Sequence, residues 1–540
     1  MVVITDRAPE GTGQDHDAAV PPLRGRHRLD VTRTAAARLL LGTLSFAVVS
    51  WLAFNVRSIG LSRGFELWVD EMLYADLGRS VSLGQLPNLP DGPFFLHPPG
   101  FFLLEGWFIN ALSISDSGMD LVYDLRWLNA AIGAFSVGIA FLLTRRVATK
   151  PIAWLVAVVL TFEPFVLRNN SRVFLETLSV GVTLAGVLLL VVQLNRSDNR
   201  WWVPRLGLAG LLMGYGVLTK DLLALYVVVP VLLAVVWRRT LLLRHAVVLI
   251  LAIATPYAVY LSVLASKSLL GDWTAAKTSG LQRMLGLDQS TGFNAVDSPS
   301  IASRMAEQAG QFGTSYILLA ICPVVGAIAC LSRTRARRMI GLMTVCMGFF
   351  GAYSAAFGTF EEQYGYGVMI ASVLGAAVCA AEWNERRPEL VKVLATVGLV
   401  FTVITVVLGV GSELTTDNGF QQVEEWVSDN LPDDARVSVT NSTGELAFAA
   451  DNRFGVWPSV PQMAENGVHY ILTQSLPTSQ GYGYAQPSML SWLSANAQPL
   501  FAAAGPTNAA TVLWYVDDDA LARGAAAGVG YPAATYETER

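Results

Sequence analysis

Residues 127–150 read WLNAAIGAFSVGIAFLLTRRVATK, an apolar run from Trp127 to Leu143 that stops at Arg145, Arg146 and Lys150. A bilayer core of about 30 Å needs roughly 20 such residues in a helix, and basic residues just past the end mark its cytoplasmic side. Comparable windows begin near 35, 151, 177, 204, 222, 246, 312, 339, 365 and 391, which makes about eleven spans. Every second connection between them is basic: Arg24, Arg26, Arg28 and Arg33; Arg145, Arg146 and Lys150; Arg196, Arg200 and Arg205; Arg238, Arg239 and Arg244; Arg333, Arg335, Arg337 and Arg338; Arg386, Arg387 and Lys392. The alternation places these loops and the N-terminus in the cytoplasm. It leaves outside residues 57–126, 166–176, 219–221, 266–311, 358–364 and everything after about 412.

The rest of the composition agrees with a polytopic membrane protein. Of 540 residues, 53% are hydrophobic and 15% charged, too apolar for a disordered chain. The net charge of −5 excludes a nucleic-acid binder driven by bulk phosphate attraction. Cys322, Cys330, Cys346 and Cys379 all fall in apolar stretches, so they read as small buried hydrophobes rather than as disulfide or zinc ligands. Three segments emerge: 1–33, a disordered cytoplasmic tail; 34–411, a transmembrane domain with its first external loop at 57–126; and 412–540, an extracytoplasmic α/β domain. In that last domain Gly419–Asn430 and Met489–Asn496 read as helices, and Ala435–Thr440, Val468–Thr473 and Thr511–Val516 as strands. Phe101–Leu112 is apolar but short and carries Glu105; counting it as a span would invert all later loops, so it is read as lying on the outer leaflet.

The external loops hold the unusual charges. Asp70 and Glu71 follow Trp68; Arg172 precedes Glu176 by one helical turn, so an ordinary surface pair is available there; Lys220 and Asp221 form a tight turn; Glu361, Glu362 and Gln363 fill the fifth loop. Ionisable groups at the edge of a bilayer need a partner or a task. Asp517-Asp518-Asp519 resembles a metal-binding acidic motif but reads as a solvated run, and Gly210 with Gly214 as a helix-packing pair.

Asp70-Glu71 with Tyr74 and Arg79, His97-Pro98-Pro99, Arg172 with Glu176, and Leu218-Thr219-Lys220, in that order over roughly 60–240, resemble the polyprenyl-phosphate-sugar-dependent glycosyltransferases of the GT-C class, close to bacterial aminoarabinose transferases and protein O-mannosyltransferases. The sequence departs from that pattern at His97, where lysine is common, at Glu176, where aspartate is frequent, and at Asp221, where glycine is usual.

The resemblance implies a polytopic helical GT-C fold and an inverting transfer of sugar from a polyprenyl phosphate to a hydroxyl of an envelope glycan, glycolipid or protein, at the outer face of a bacterial cytoplasmic membrane. Such a reaction needs a base for the acceptor proton and cations for the departing phosphate. Asp70 is the expected base, with Glu71 and Glu176 orienting substrate. His97, Lys220 and Arg172 are expected on the donor phosphate, and a divalent metal, if bound, would be shared by Asp70, Glu71 and Glu176. Tyr482 and Tyr484, in a glycine-rich loop of the C-terminal domain that also offers Trp457 and Trp492, are expected to hold the acceptor. Against a transporter or flippase of sugars or lipid-linked sugars stands the collection of charges at one surface rather than at the midplane. A noncatalytic scaffold would tolerate loss of Asp70.

Overall fold

The computed structural model describes residues 26–90, 92–196, 200–287, 300–479, 483–485 and 487–530. The chain divides into a short N-terminal unit, Met1–Ser45, helical from Arg26, and a large one, Phe46–Arg540. Residues 26–33, read from sequence as part of an unstructured tail, are therefore helical; residues 1–25 lie outside the described residues.

All eleven predicted windows are helical. Among the described residues eight helices are long and apolar enough to cross a membrane, and the bent pair Lys150–Phe162 and Pro164–Asn170 would make nine. The windows near 204 and 222 became Trp202–Thr219 and Leu223–Val236, kept short by the turn at Lys220-Asp221. The 62° bend of the broken pair is written in the sequence: Pro164 cannot donate to the preceding turn, and Glu163 instead caps the new helix through Val166 N–H at 2.7 Å. Gly100–Leu112, at 13 residues and about 20 Å, is too short to span. By contrast Gly118–Val147, at 30 residues, is about 45 Å long. Gly210 and Gly214 do serve helix packing: a Cβ on Gly210 would sit 2.5 Å from Ala252 Cβ, and one on Gly214 2.3 Å from Ile253 O.

The basic loops meet at one end of the bundle. Arg337 Nε donates to Val147 O at 2.8 Å, Asn195 to Arg146 O at 3.1 Å, Trp237 Nε1 to Cys330 O at 3.0 Å and Arg338 Nε to Thr240 Oγ1 at 3.0 Å. Arg337 also pairs with Glu382 and Glu385 at 3.0 and 2.6 Å. The four cysteines are free, three of them buried in the helical core.

At the other end Val69–Ser82 packs on Gly100–Leu112 and roofs the helices, its buried face set by Met72, Tyr74, Ala75 and Leu77. The C-terminal region then folds as a five-stranded mixed sheet in the order Phe454–Gly455, Val437–Val439, Tyr470–Gln474, Ala509–Tyr515, Gln498–Gly505, the first three parallel and the last two antiparallel. Helix Gly419–Asn430 and the strands at 437–439, 470–474 and 509–515 match expectation; Gln498–Gly505 does not appear in the sequence reading. One face of the sheet has its own core around Val460, Ile471, Met489 and Leu521, with Trp457 and Trp492 packed against it. The other face, through Phe420, Val423, Phe448 and Leu472, is continuous with Leu67, Met72, Phe101 and Phe174 of the roof. The domain therefore shares a core with the first loop. Asp517 caps helix Asp518–Ala526 through Ala520 N–H at 2.7 Å, which gives the acidic run a local structural task.

Candidate active site

Asp70 sits in the first turn of Val69–Ser82 and is half-buried; its carboxylate accepts a hydrogen bond from Gln363 Nε2 at 2.8 Å. Burial, then the Glu361 and Glu176 carboxylates, push its pKa up to about 7, with Lys220 and Arg283 pulling the other way. An acid so poised accepts a proton near neutral pH, as a general base must. Tyr74 lies one turn on, its hydroxyl held well above the usual tyrosine range by burial and the nearby Asp70 charge. Its ring stands edge-on to His97, centroids 5.9 Å apart.

The second and third loops bring Glu176 and Lys220 together as a buried ion pair, and Lys220 lies over the Tyr364 ring at 5.1 Å. Burial opposes the Lys220 charge, but the Glu176 carboxylate outweighs it and raises the pKa. Glu176 thus pairs with Lys220 rather than with Arg172, one turn before it. His97 is held well below the usual histidine range, first by burial and then by Lys220, Lys277 and Arg283. It is neutral at pH 7 and offers a hydrogen bond rather than a charge. Lys277 contributes charge instead, pairing with Asp221 and donating to Leu96 O at 2.8 Å, and Arg283 pairs with Glu361 at 2.7 Å.

Glu71 and Arg172 point elsewhere. Glu71 is fully buried and takes Arg126 Nε and Nη2 in a fork at 2.9 Å each, with Val173 N–H at 2.9 Å and Trp68 N–H at 3.2 Å. Arg172 donates to Glu66 O at 2.8 Å and Thr507 Oγ1 at 3.3 Å, its Nε 3.8 Å from Glu71. Both are parts of the joint beneath the site. Tyr484 donates its hydroxyl to Glu445, on a short helix packed against Val69–Ser82; Tyr482 lies outside the described residues. Among the described residues no group of three or more His, Cys, Asp or Glu side chains is arranged to hold a metal, Glu71 and Glu176 being spent on Arg126 and Lys220.

Sequence reading named Gln363 among the groups of the fifth loop but missed Arg126, Lys277 and Arg283, each of which meets its partner across 55 or more residues. Two signals pointed to them: Lys277 is one of five lysines in the chain, and Arg126 stands at the head of an apolar run. Beside the site, a cavity of about 270 Å³ opens between helices Ile301–Ala329, Arg335–Ala356 and Tyr364–Arg386. Phe165, Phe312, Leu319, Val368 and Met369 make its wall apolar, and Arg168, Arg304 and Glu362 stand among its lining residues. Glu362 pairs with Arg168 at 2.6 Å and is the chain neighbour of Gln363.

Residues 102–270 match the family described as dolichyl-phosphate-mannose-protein mannosyltransferase. No curated protein matches the chain. Among solved structures, the Archaeoglobus fulgidus oligosaccharyltransferase in complex with Zn and sulfate is similar over 87% of this chain and 72% of its own, with a TM-score of 0.55 at 13% identity. ArnT from Cupriavidus metallidurans bound to undecaprenyl phosphate is similar over 89% of this chain and 98% of its own, with a TM-score of 0.53 at 15% identity. The A. fulgidus oligosaccharyltransferase AglB, in complex with an inhibitory peptide and a dolichol-phosphate, covers 88% of this chain with 74% of its own, at a TM-score of 0.54 and 12% identity. Residues 102–270 therefore match that mannosyltransferase family, and the chain as a whole shares the fold of these solved structures.

Proposed function

We propose that the protein transfers a sugar from a polyprenyl-phosphate donor to a hydroxyl of a cell-envelope glycan, glycolipid or protein, at the outer face of the cytoplasmic membrane. The observation that carries this reading is Asp70: an acid with a pKa near 7, held by Gln363, beside a buried cation at Lys220. Asp70 takes the proton of the acceptor hydroxyl as its oxygen attacks the anomeric carbon. The bond to the phosphate oxygen breaks on the opposite face, so the configuration inverts. Lys220 and Lys277 offset the charge that grows on the departing phosphate, His97 donates one hydrogen bond to it, and Glu176 holds Lys220 in place. The apolar cavity gives the donor's isoprenoid chain a dry wall to lie against. Glu71, tied to Arg126, fixes the helix that presents Asp70.

Support for the orientation comes from the basic loops gathered at the end opposite Asp70, which the positive-inside rule assigns to the cytoplasm. Tyr484, whose hydroxyl meets Glu445 next to the roof helix, is our candidate for contact with an acceptor sugar, and the ArnT structure with undecaprenyl phosphate makes that lipid the donor carrier to try first. The test is transfer in reconstituted membranes from a panel of undecaprenyl-phosphate sugars, with lipid extracts of the envelope as acceptor. Asp70→Asn, which keeps size but removes the base, should lower turnover by about 10²- to 10⁴-fold without loss of lipid-phosphate binding. Turnover like that of the unaltered protein would remove Asp70 from the chemistry.

A further inference from the structure

The segment that carries Asp70 is fastened from outside the membrane domain. Glu66 N–H donates to Asp417 Oδ2 at 3.0 Å, and Asp417 N–H donates back to Arg63 O at 2.7 Å. The same Asp417 carboxylate accepts from Thr507 O–H at 2.6 Å and Thr507 N–H at 3.3 Å. The Glu66 side chain accepts from Leu67 N–H at 3.0 Å and from Phe420 N–H at 3.1 Å, in the first turn of Gly419–Asn430. Arg172 closes the ring by donating to both Glu66 O and Thr507 Oγ1. Glu66 and Asp417 are 1% and 3% exposed, so water does not compete for these bonds. The fit is close as well: a Cβ on Gly505 would lie 2.1 Å from Asp417 Oδ1, and one on Gly419 3.0 Å from Glu66 Oε2.

Two buried acids side by side would repel if both were ionised. Burial and then the Asp417 carboxylate push Glu66 up to about 8, with the Leu67 and Phe420 N–H groups pulling it down, so at neutral pH Glu66 is mostly protonated. Breaking any one of these bonds exposes a buried donor or acceptor at about 1–3 kcal/mol. Glu66 precedes Asp70 by four positions, and Leu67, between them, is buried in the core that the roof and the C-terminal domain share.

We infer that Glu66, Asp417 and Thr507 form a clasp through which the C-terminal domain holds the Asp70 segment in register, so that the domain supplies positioning residues for the transfer reaction and not acceptor contacts alone. The inference rests on the proposed role of Asp70. A base displaced by about an ångström loses orders of magnitude in rate while substrate still binds, and a clasp of bonds to main chain prevents that displacement.

The full chain in lipid nanodiscs tests this by hydrogen exchange, which reads the clasp whether or not the transfer chemistry is right. Asp417→Ala should raise exchange across 63–74 by at least about tenfold and leave 175–194 and 509–515 as protected as before; Thr507→Val, nearly isosteric, should do the same to a smaller degree. Turnover with the best undecaprenyl-phosphate sugar should fall by about tenfold or more in Asp417→Ala, with donor KM within about twofold, since the phosphate site is untouched. Unchanged protection of 63–74 in folded forms of both variants would overturn the clasp. Lost protection with unchanged turnover would overturn its service to the base. If the unaltered protein turns over no polyprenyl-phosphate sugar, the functional reading fails, while the exchange data still decide whether the domain holds the loop.

Discussion

The pH dependence of transfer offers the sharpest check on Asp70, because its sign and size follow from the groups around it. With a pKa near 7, about 3% of Asp70 is ionised at pH 5.5 and about 75% at pH 7.5, so kcat/KM should rise roughly 25-fold over that range. Of the groups beside it, His97 is held well below this window and Lys220 above it. Substituting Glu361→Gln removes the largest charge contribution that raises Asp70 and leaves Arg283 without its 2.7 Å partner. Both changes favour the carboxylate, so the acid limb should move to lower pH and the variant should keep more of its own plateau rate at pH 6. Lys220→Met should move the limb the other way, because a cation that stabilises ionised Asp70 is gone. The assay is initial-rate transfer from a radiolabelled undecaprenyl-phosphate sugar in detergent micelles, with each variant normalised to its own plateau. A flat profile from pH 5.5 to 7.5, or an upward shift with Glu361→Gln, would refute the assignment of the base.

Three further outcomes are expected. Arg126→Ala leaves the Glu71 carboxylate buried without its forked partner and should destabilise the roof by about 3–5 kcal/mol, seen as a lower melting temperature, while Glu71→Gln with Arg126 intact should cost less; equal melting temperatures for Arg126→Ala and the unaltered protein would contradict the buried pair. Lys277→Met should weaken undecaprenyl-phosphate binding by about tenfold, the scale of one charge-assisted contact, and no change in affinity would confine Lys277 to its pair with Asp221. In intact cells an impermeant thiol reagent should label Thr274→Cys and Ala464→Cys but not Arg239→Cys or Arg335→Cys, all exposed positions, and the reverse pattern would turn the site to the cytoplasm.

What the sequence made legible divides along the range of the interactions involved. Apolar helices and the alternation of basic loops were readable because hydropathy and flanking arginines act over 20 residues or fewer, and the structure brings several of those basic loops together at one end. The break between the windows near 204 and 222 was readable as two charges in a tight turn at Lys220-Asp221, whereas the partners that fix that turn, Glu176 and Lys277, were not. Strand Gln498–Gly505, QPLFAAAG, has little intrinsic preference for extended structure and exists because Ala509–Tyr515 pairs with it from Gln498 to Gly505. The site follows the same rule. Asp70 and Lys220 were visible as charges without a local reason, but the difference between Asp70 and its neighbour Glu71 was not, since it depends on Arg126, 55 residues away in sequence, reaching one carboxylate and not the other. Adjacent residues on a helix point about 100° apart, so a paired-acid motif delivers one carboxylate to the open side and turns the other inward. The inward acid needs a buried cation and the open one must lack a neutralising fork. Arg126 beneath the roof takes the inward carboxylate, while Asp70 meets Gln363 and is pushed up to about 7 by burial and the Glu361 and Glu176 carboxylates.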